Sequence, residues 1–252
     1  MRHLLAKSFT LGLYLIINPT QAQSIINTSS ISHDLDSTLS IVIDAGGNIS
    51  RGNSRVDDVN LNFGLGKSLG EDASVWLLGG HNELRGNGSL LQKTSFVHLR
   101  YNYEFNSRTT LSAYSQSQLN TVLDLESRVL FGGNISYDFS KEQNATAMIG
   151  LFHEAEKYAL SDSKSMVRMN FVGVAEQKLG NIEVIGFAYY QPSIMDLFDS
   201  RYITEISLRF PIVKGFQLSV NGAGRFDSQP HSSLRNWDVG VSTTLRYEFH
   251  KS

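Results

Sequence analysis

The final stretch of the chain alternates between apolar and polar residues with a period of two. Between positions 237 and 249, every second residue is apolar except Thr243, and the residues between them are polar, charged or glycine. Successive side chains of a β-strand point to opposite faces, so this stretch predicts a strand with one oily and one wet face. Because the same alternation recurs along the chain, the sequence predicts an all-β fold whose strands lie between an apolar and a polar environment.

Twelve segments carry this pattern, and several exceed the roughly 9–11 residues that a tilted strand needs to cross a bilayer. Short turns rich in Asn, Ser, Gly or Pro alternate with mostly longer polar loops, among them 86–91, 158–164, 192–199 and 227–234. This asymmetry is typical of outer-membrane barrels. The sequence therefore predicts a transmembrane antiparallel up-and-down β-barrel of about twelve strands. The predicted strands are 38–51, 55–67, 73–85, 92–105, 108–120, 124–139, 143–157, 165–178, 182–191, 200–210, 216–226 and 235–249.

The start of the chain predicts a secretory signal peptide over residues 1–22. Arg2 and Lys7 give it a basic beginning, an apolar run follows over 9–17, and small residues favour cleavage after Ala22. The apolar run is about half as long as the roughly 20 residues of a spanning helix, which disfavours a membrane anchor. The mature chain is therefore expected to be exported to the bacterial outer membrane.

Residues 23–37 are polar and without period, which predicts a flexible periplasmic leader before an outer-membrane barrel over 38–249. Without Arg2 and Lys7, the 22 basic residues fall to 20 against 24 acidic ones, a balance of −4. No basic tract occurs, so nucleic acid is not an expected partner. The expected partners are outer-membrane lipid, lipopolysaccharide and, during biogenesis, the barrel-assembly machinery.

Signatures of catalysis are missing from the sequence. It has no Gly-x-Ser-x-Gly motif, the stretch 153–157 lacks the second histidine of a zinc protease, and Leu61 stands where a phosphate loop ending at 66–68 needs glycine. We therefore predict no catalytic, cofactor-binding or metal-binding residue. A lipid hydrolase with His98 as general base stays open, because outer-membrane lipases place serine and histidine on a barrel wall.

Aromatic residues cluster at the ends of the predicted strands beside the short turns. Aromatic rings favour the membrane interface, where they form girdles around outer-membrane barrels. A soluble barrel or sandwich would show the same alternation with its oily face inward, so the period alone does not decide between them. The signal peptide and the aromatics favour the membrane barrel. The candidate girdle residues are Tyr101, Tyr103, Phe105, Tyr137, Phe139, Phe210, Phe216, Tyr247 and Phe249.

The polar faces of the predicted strands carry charges of both signs, which a lumen tolerates and a lipid face does not. These charges have two interpretations. They form cross-strand ion pairs that stiffen a closed barrel, or they line a narrow aqueous path, as charges do in selective pores. The candidate lumen-lining residues are Arg100, Glu104, Glu126, Arg128, Glu154, Arg168, Glu205, Arg209, Arg225, Arg246 and Glu248.

Several motifs resemble those of one known family, and the strongest of them are C-terminal. They lie at 96–103, 132–137, 190–193, 199–201, 226–230, 237–238 and 245–249. Together they resemble the YdiY-like salt-induced outer-membrane proteins, a family with a domain of unknown function, over about 38–249. The resemblance implies an outer-membrane barrel and implies no substrate, reaction or functional residue.

Three functional hypotheses follow. The first is a small passive channel or stress-responsive envelope component whose lumen charges set its selectivity. The second is a closed structural barrel whose loops 192–199 and 227–234 contact lipopolysaccharide or partners. The third is the lipid hydrolase that uses His98.

Overall fold

The structure, a computed structural model, describes residues 39–52, 55–139, 144–159, 163–231 and 235–251. The predicted signal peptide, its cleavage site and the leader lie outside these residues. No helix in the described part of the chain is long and apolar enough to cross a membrane.

Within the described residues, twelve antiparallel strands close into one barrel in which each strand pairs with its neighbours in sequence. The barrel closes between β1 and β12, where Leu39 lies opposite Lys251 and Ala45 opposite Leu245. The predicted fold class is thereby confirmed. The strands are β1 Leu39–Ser50, β2 Val56–Ser68, β3 Ala73–Gly86, β4 Ser89–Asn106, β5 Thr109–Asn120, β6 Leu125–Asp138, β7 Ala145–Tyr158, β8 Lys164–Leu179, β9 Ile182–Pro192, β10 Ser200–Val213, β11 Phe216–Asp227 and β12 Trp237–Lys251, with a 3₁₀ helix at Thr121–Leu123.

The barrel has two unlike ends. The end that carries Leu39 and Lys251 is called the terminal end here, and its connections include the tight turns at 107–108 and 180–181. The opposite end is called the loop end, and its connections include 193–199 and 228–236.

The predicted loop over 86–91 is wrong. β3 continues to Gly86 and β4 begins at Ser89, so Asn87 and Gly88 alone connect these two strands. Both have positive φ, 52° and 85°, as a type I′ hairpin turn requires. The Asn-Gly pair is itself the sequence signal for such a turn.

The outward side chains form an apolar band around the barrel. On β2, for example, Leu61, Phe63 and Leu65 are 47%, 43% and 42% exposed. A closed barrel that exposes apolar side chains outward and encloses polar ones spans a membrane, since its backbone hydrogen bonds are all made between strands. The chain is therefore a membrane-spanning barrel of the outer-membrane type.

Aromatic rings border this band at both ends. All nine predicted girdle residues lie at outward positions near the terminal end, from Phe105 at 68% exposure to the half-buried Phe210. A second row of aromatic rings in contact, which the sequence reasoning missed, lies near the loop end. It joins Phe171, Tyr190, Tyr202 and Phe226, with ring centroids 4.7–6.0 Å apart.

The spacing of the two rows fits a bilayer. On β10, Tyr202 and Phe210 are eight residues apart, about 26 Å along the strand and about 20 Å along the axis at a tilt of about 40°. The apolar band of an outer-membrane barrel is about 25 Å tall.

The interior of the barrel has two contrasting walls. We call the inward side chains of β3–β9 the bulky wall, because large buried residues fill it: Trp76, Leu78, Tyr114, Leu130, Phe152, Val172, Val174, Ile185, Phe187 and Tyr189. We call the inward side chains of β1, β2 and β10–β12 the small-residue wall, because small residues predominate in its middle: Gly46, Asn62, Gly64, Ser207, Asn221, Ala223, Gly240 and Ser242.

Candidate functional site: the charged interior

The loop end of the interior contains a buried network of charges centred on Glu154. Its carboxylate accepts a hydrogen bond of 2.6 Å from Arg168 Nε and one of 2.9 Å from Arg201 Nη1, and it lies 3.8 Å from Arg128 Nε. The side chain of Glu154 has no exposed surface. Alternation places Glu154 inward on β7, and three guanidiniums compensate its charge.

Arg201 crosses the interior to reach this network. It projects from β10, yet its guanidinium contacts Glu154 and Glu156 on β7, three strands and roughly 14 Å of wall away. Its Nε also donates to Asp227 of β11 over 2.9 Å. One arginine therefore links the bulky wall to the small-residue wall at the loop end.

A stacked pair of rings covers one side of the network. The Tyr158 hydroxyl donates to Glu156 over 2.7 Å, and its ring stacks on His231 with centroids 4.0 Å apart. His231 belongs to the connection between β11 and β12, so the stack fastens this loop to β7. The buried side chains of Leu123 and Leu125 pack beside Tyr158.

The connection between β9 and β10 is fastened to the same network. Arg168 donates to the Asp199 carboxylate over 2.8 Å and to the Asp199 carbonyl over 2.9 Å, and Lys164 lies 3.1 Å from the same carboxylate. Asp199 and Ser193 at the base of this loop are buried. Charge-assisted bonds of this kind hold a loop in one conformation.

A second group of charges lies toward the terminal end. Arg209 pairs with Glu183 over 2.9 Å, while Arg246 donates to Glu248 and lies 3.8 Å from Asp44. The two arginines are buried, the carboxylates are partly buried, and the group lies on both walls. With Glu176 and Glu205, which also point inward, this group comprises five carboxylates and two guanidiniums.

The bulky wall holds one further charge among aromatic rings. The Arg100 guanidinium lies 5.3 Å from the centroid of the Tyr114 ring, and the buried His98 stacks on that ring at 5.6 Å. His98 Nδ1 lies 3.0 Å from Gln116 Oε1. This arrangement packs the wall and gives His98 an amide as its polar partner.

Two contacts between histidine and serine lie on the outer face of the barrel. His81 Nδ1 is 2.7 Å from Ser95 Oγ, and His153 Nε2 is 2.9 Å from Ser165 Oγ. Glu83 lies 3.7 Å from His81 and is bound by Arg85. The hydrolase hypothesis named His98 as the general base. The histidines that contact serine here are His81 and His153 instead.

Ten of the eleven candidate lumen residues point inward. Glu126 does not: it lies in a bulge of β6, is 45% exposed and contacts the outward Lys157 over 2.6 Å. The bulge inserts a residue between Leu125 and Ser127, so simple alternation assigns Glu126 to the wrong face. The ten inward residues are Arg100, Glu104, Arg128, Glu154, Arg168, Glu205, Arg209, Arg225, Arg246 and Glu248.

Sequence reasoning missed Arg201 and Asp227 as interior residues. Both share the inward parity of candidates on their own strands, Arg209 on β10 and Arg225 on β11, so the signal was present. Asp199 gave no such signal because it lies outside the strands. No group of three or more His, Cys, Asp or Glu placed to hold a metal occurs in the described ranges.

A family model described as a protein of unknown function, DUF481, matches residues 43–249. No curated protein sequence is significantly similar to the chain. Among solved structures, the translocator domain of the autotransporter NalP from Neisseria meningitidis aligns at 12% identity and a TM-score of 0.47, covering 88% of this chain and 91% of that one.

Two further solved structures are similar to a comparable degree. The KdgM porin aligns at 9% identity and a TM-score of 0.49, covering 84% of this chain and 99% of that one. LpxR from Salmonella typhimurium aligns at 9% identity and a TM-score of 0.45, with the same coverage. These likenesses carry no residue or activity over to this chain.

Proposed function

This chain belongs to the DUF481 family of proteins of unknown function, and we propose that it is a narrow passive channel of the bacterial outer membrane. The observation that carries the proposal is the contrast between the two walls. The large side chains of the bulky wall are buried, whereas the middle of the small-residue wall keeps partial exposure to solvent at Gly46, Asn62, Ser207, Asn221, Ala223, Gly240 and Ser242. Water in contact with these small polar residues supplies a path that ions and small solutes can follow.

Planar-bilayer recording of the refolded protein tests the proposal. We expect discrete, reproducible conductance steps, small beside those of a wide porin, because the bulky wall occupies much of the lumen. Folding is checked independently by heat-shifted gel mobility. A folded barrel that stays electrically silent would contradict the channel and support the closed structural barrel.

We expect the channel to prefer cations. The charge group around Arg209 and Arg246 comprises five carboxylates and two guanidiniums, and rings of carboxylates select cations in pores. Arg246→Glu reverses one of the two positive charges and should move the reversal potential in a salt gradient further toward that of the cation. Glu126→Gln changes an outward charge and serves as the control. Equal ion selectivity in wild type and Arg246→Glu would mean that the conducted ions do not pass this residue.

A second role, contact with the lipid and lipopolysaccharide of the outer leaflet, is supported by the tip of the β9–β10 loop. Met195 and Phe198 are 86% and 87% exposed, and Leu197 is 58% exposed. The loop is braced, since Ser193 and Asp199 pair through their backbones and Asp196 accepts from Gln229. A rigid apolar tip at the same end of the barrel as the second row of aromatic rings suits insertion among acyl chains. We also propose that the barrel-assembly machinery inserts this chain into the outer membrane.

Phe198→Trp reports the position of this tip. In a Trp237→Phe background, the remaining native Trp76 is only 2% exposed and lies inside the barrel. We expect the new indole to fluoresce at short wavelength and to be quenched by brominated acyl chains in vesicles that contain lipopolysaccharide. Quenching by aqueous acrylamide alone would place the tip in water and contradict the lipid contact.

A further inference from the structure

A small cavity lies within the charge network at the loop end. Its volume is about 20 Å³, which is room for one particle the size of a water molecule. Arg128 and Arg225 line it from the barrel wall, and the stacked rings of Tyr158 and His231 line it from the mouth. Asp227 and Asp238 also line the cavity, which therefore lies among charged and aromatic groups at the point where loops meet the barrel.

Two guanidiniums at this cavity have N–H groups without a partner among the described residues. Arg225 lacks one at both Nε and Nη1, and Arg128 lacks one at Nη1. The two side chains are only 10% and 1% exposed. Buried polar groups are almost always hydrogen-bonded, so three orphaned donors at one cavity call for an acceptor that occupies it.

The charge of the surrounding network is also one negative charge short. Four arginines, Arg128, Arg168, Arg201 and Arg225, face four carboxylates, Glu154, Glu156, Asp199 and Asp227. Lys164 adds a fifth cation through its contact with Asp199, and the cavity-lining Arg235 and Asp238 add one charge of each sign. Arginine keeps its proton in proteins, so neutrality has to come from an added anion.

We propose that this cavity binds a single chloride ion, held by the guanidiniums of Arg128 and Arg225. A halide only accepts hydrogen bonds, which suits orphaned donors, and it fits a space that excludes carboxylate and phosphate groups. The bound ion fixes the loop end of the barrel by joining β6 to β11. The proposal does not depend on conduction, because its test measures stability and ion position.

Thermal unfolding of the full barrel in detergent, followed by gel mobility, tests the site in solution. Sodium sulfate and sodium chloride are compared at equal ionic strength, because the generic effect of sulfate is to stabilise more than chloride does. Wild type should reverse that order, with a midpoint about 2–4 °C higher in chloride. In Arg225→Met the unfolding midpoint should be higher in sulfate than in chloride. The exposed control Arg85→Met should behave as wild type. A wild-type midpoint that is higher in sulfate than in chloride would overturn the proposal. So would a midpoint of Arg225→Met that is still higher in chloride.

Crystals of the wild-type barrel soaked in bromide locate the ion without any variant. An anomalous peak between the Arg128 and Arg225 guanidiniums is the expected result. Density that shows only a water molecule, without anomalous signal, would overturn the site.

Discussion

Glu154→Gln is expected to lower the free energy of unfolding of the barrel by about 3–5 kcal/mol. The Glu154 carboxylate has no exposed surface and compensates the guanidiniums of Arg128, Arg168 and Arg201. Glutamine keeps the size of the side chain and removes its charge, so three buried cations lose their common partner. Urea-induced unfolding, followed by circular dichroism at several denaturant concentrations, measures the difference.

The matched control is Glu126→Gln, which removes the same charge from an exposed pair. Lys157 and Glu126 are 64% and 45% exposed, and exposed pairs contribute about 0–1 kcal/mol. The two variants therefore separate the buried network from the general effect of a lost charge. A loss in Glu154→Gln no larger than that of the control would mean that the network does not hold the loop end together.

Ala223→Trp is expected to remove most of the single-channel conductance while leaving the barrel folded. Ala223 lies inward on β11, opposite Gly240 of β12 and Glu205 of β10, in the middle of the small-residue wall. An indole at this position fills space beside the small inward residues that keep contact with solvent. Planar-bilayer recording of wild type and variant at equal salt concentration measures the effect.

Val239→Trp is the control for the added ring. Val239 is the neighbour of Gly240 on β12, points outward and is 68% exposed, so an indole there enters lipid. Its conductance should equal that of wild type. If Ala223→Trp conducts as well as this control, the ions do not pass along the small-residue wall.

β9 shows where alternation stops being informative. Its inward residues Ile185, Phe187 and Tyr189 are apolar and buried, and its outward residues include Val184 and Ala188, which are apolar as well. The period of two vanishes when both faces are oily, although composition and length still identify a strand. The sequence therefore predicted that β9 exists, and its contribution to the bulky wall became visible only in the closed barrel.

Local rules also located most of the charged interior. Parity along each strand assigned Arg128, Glu154 and Arg168 to the wet face, and the structure places all three inside. The same rule misplaced Glu126, because a bulge shifts parity and depends on how two strands pair. The inward position of Asp199 could not be predicted in this way, because it lies in a loop and loops have no alternation.

The sequence by itself determined that this chain forms a membrane barrel, which face of most strands meets lipid and where aromatic rings border the terminal end. Those properties follow from the identity of each residue and its nearest neighbours along the chain. Only the tertiary structure decided which charges meet and where the lumen is filled. Arg201 reaches Glu154 over 47 positions in sequence, because register and barrel closure bring β10 and β7 to face each other across the lumen, and neither can be read from a period of two.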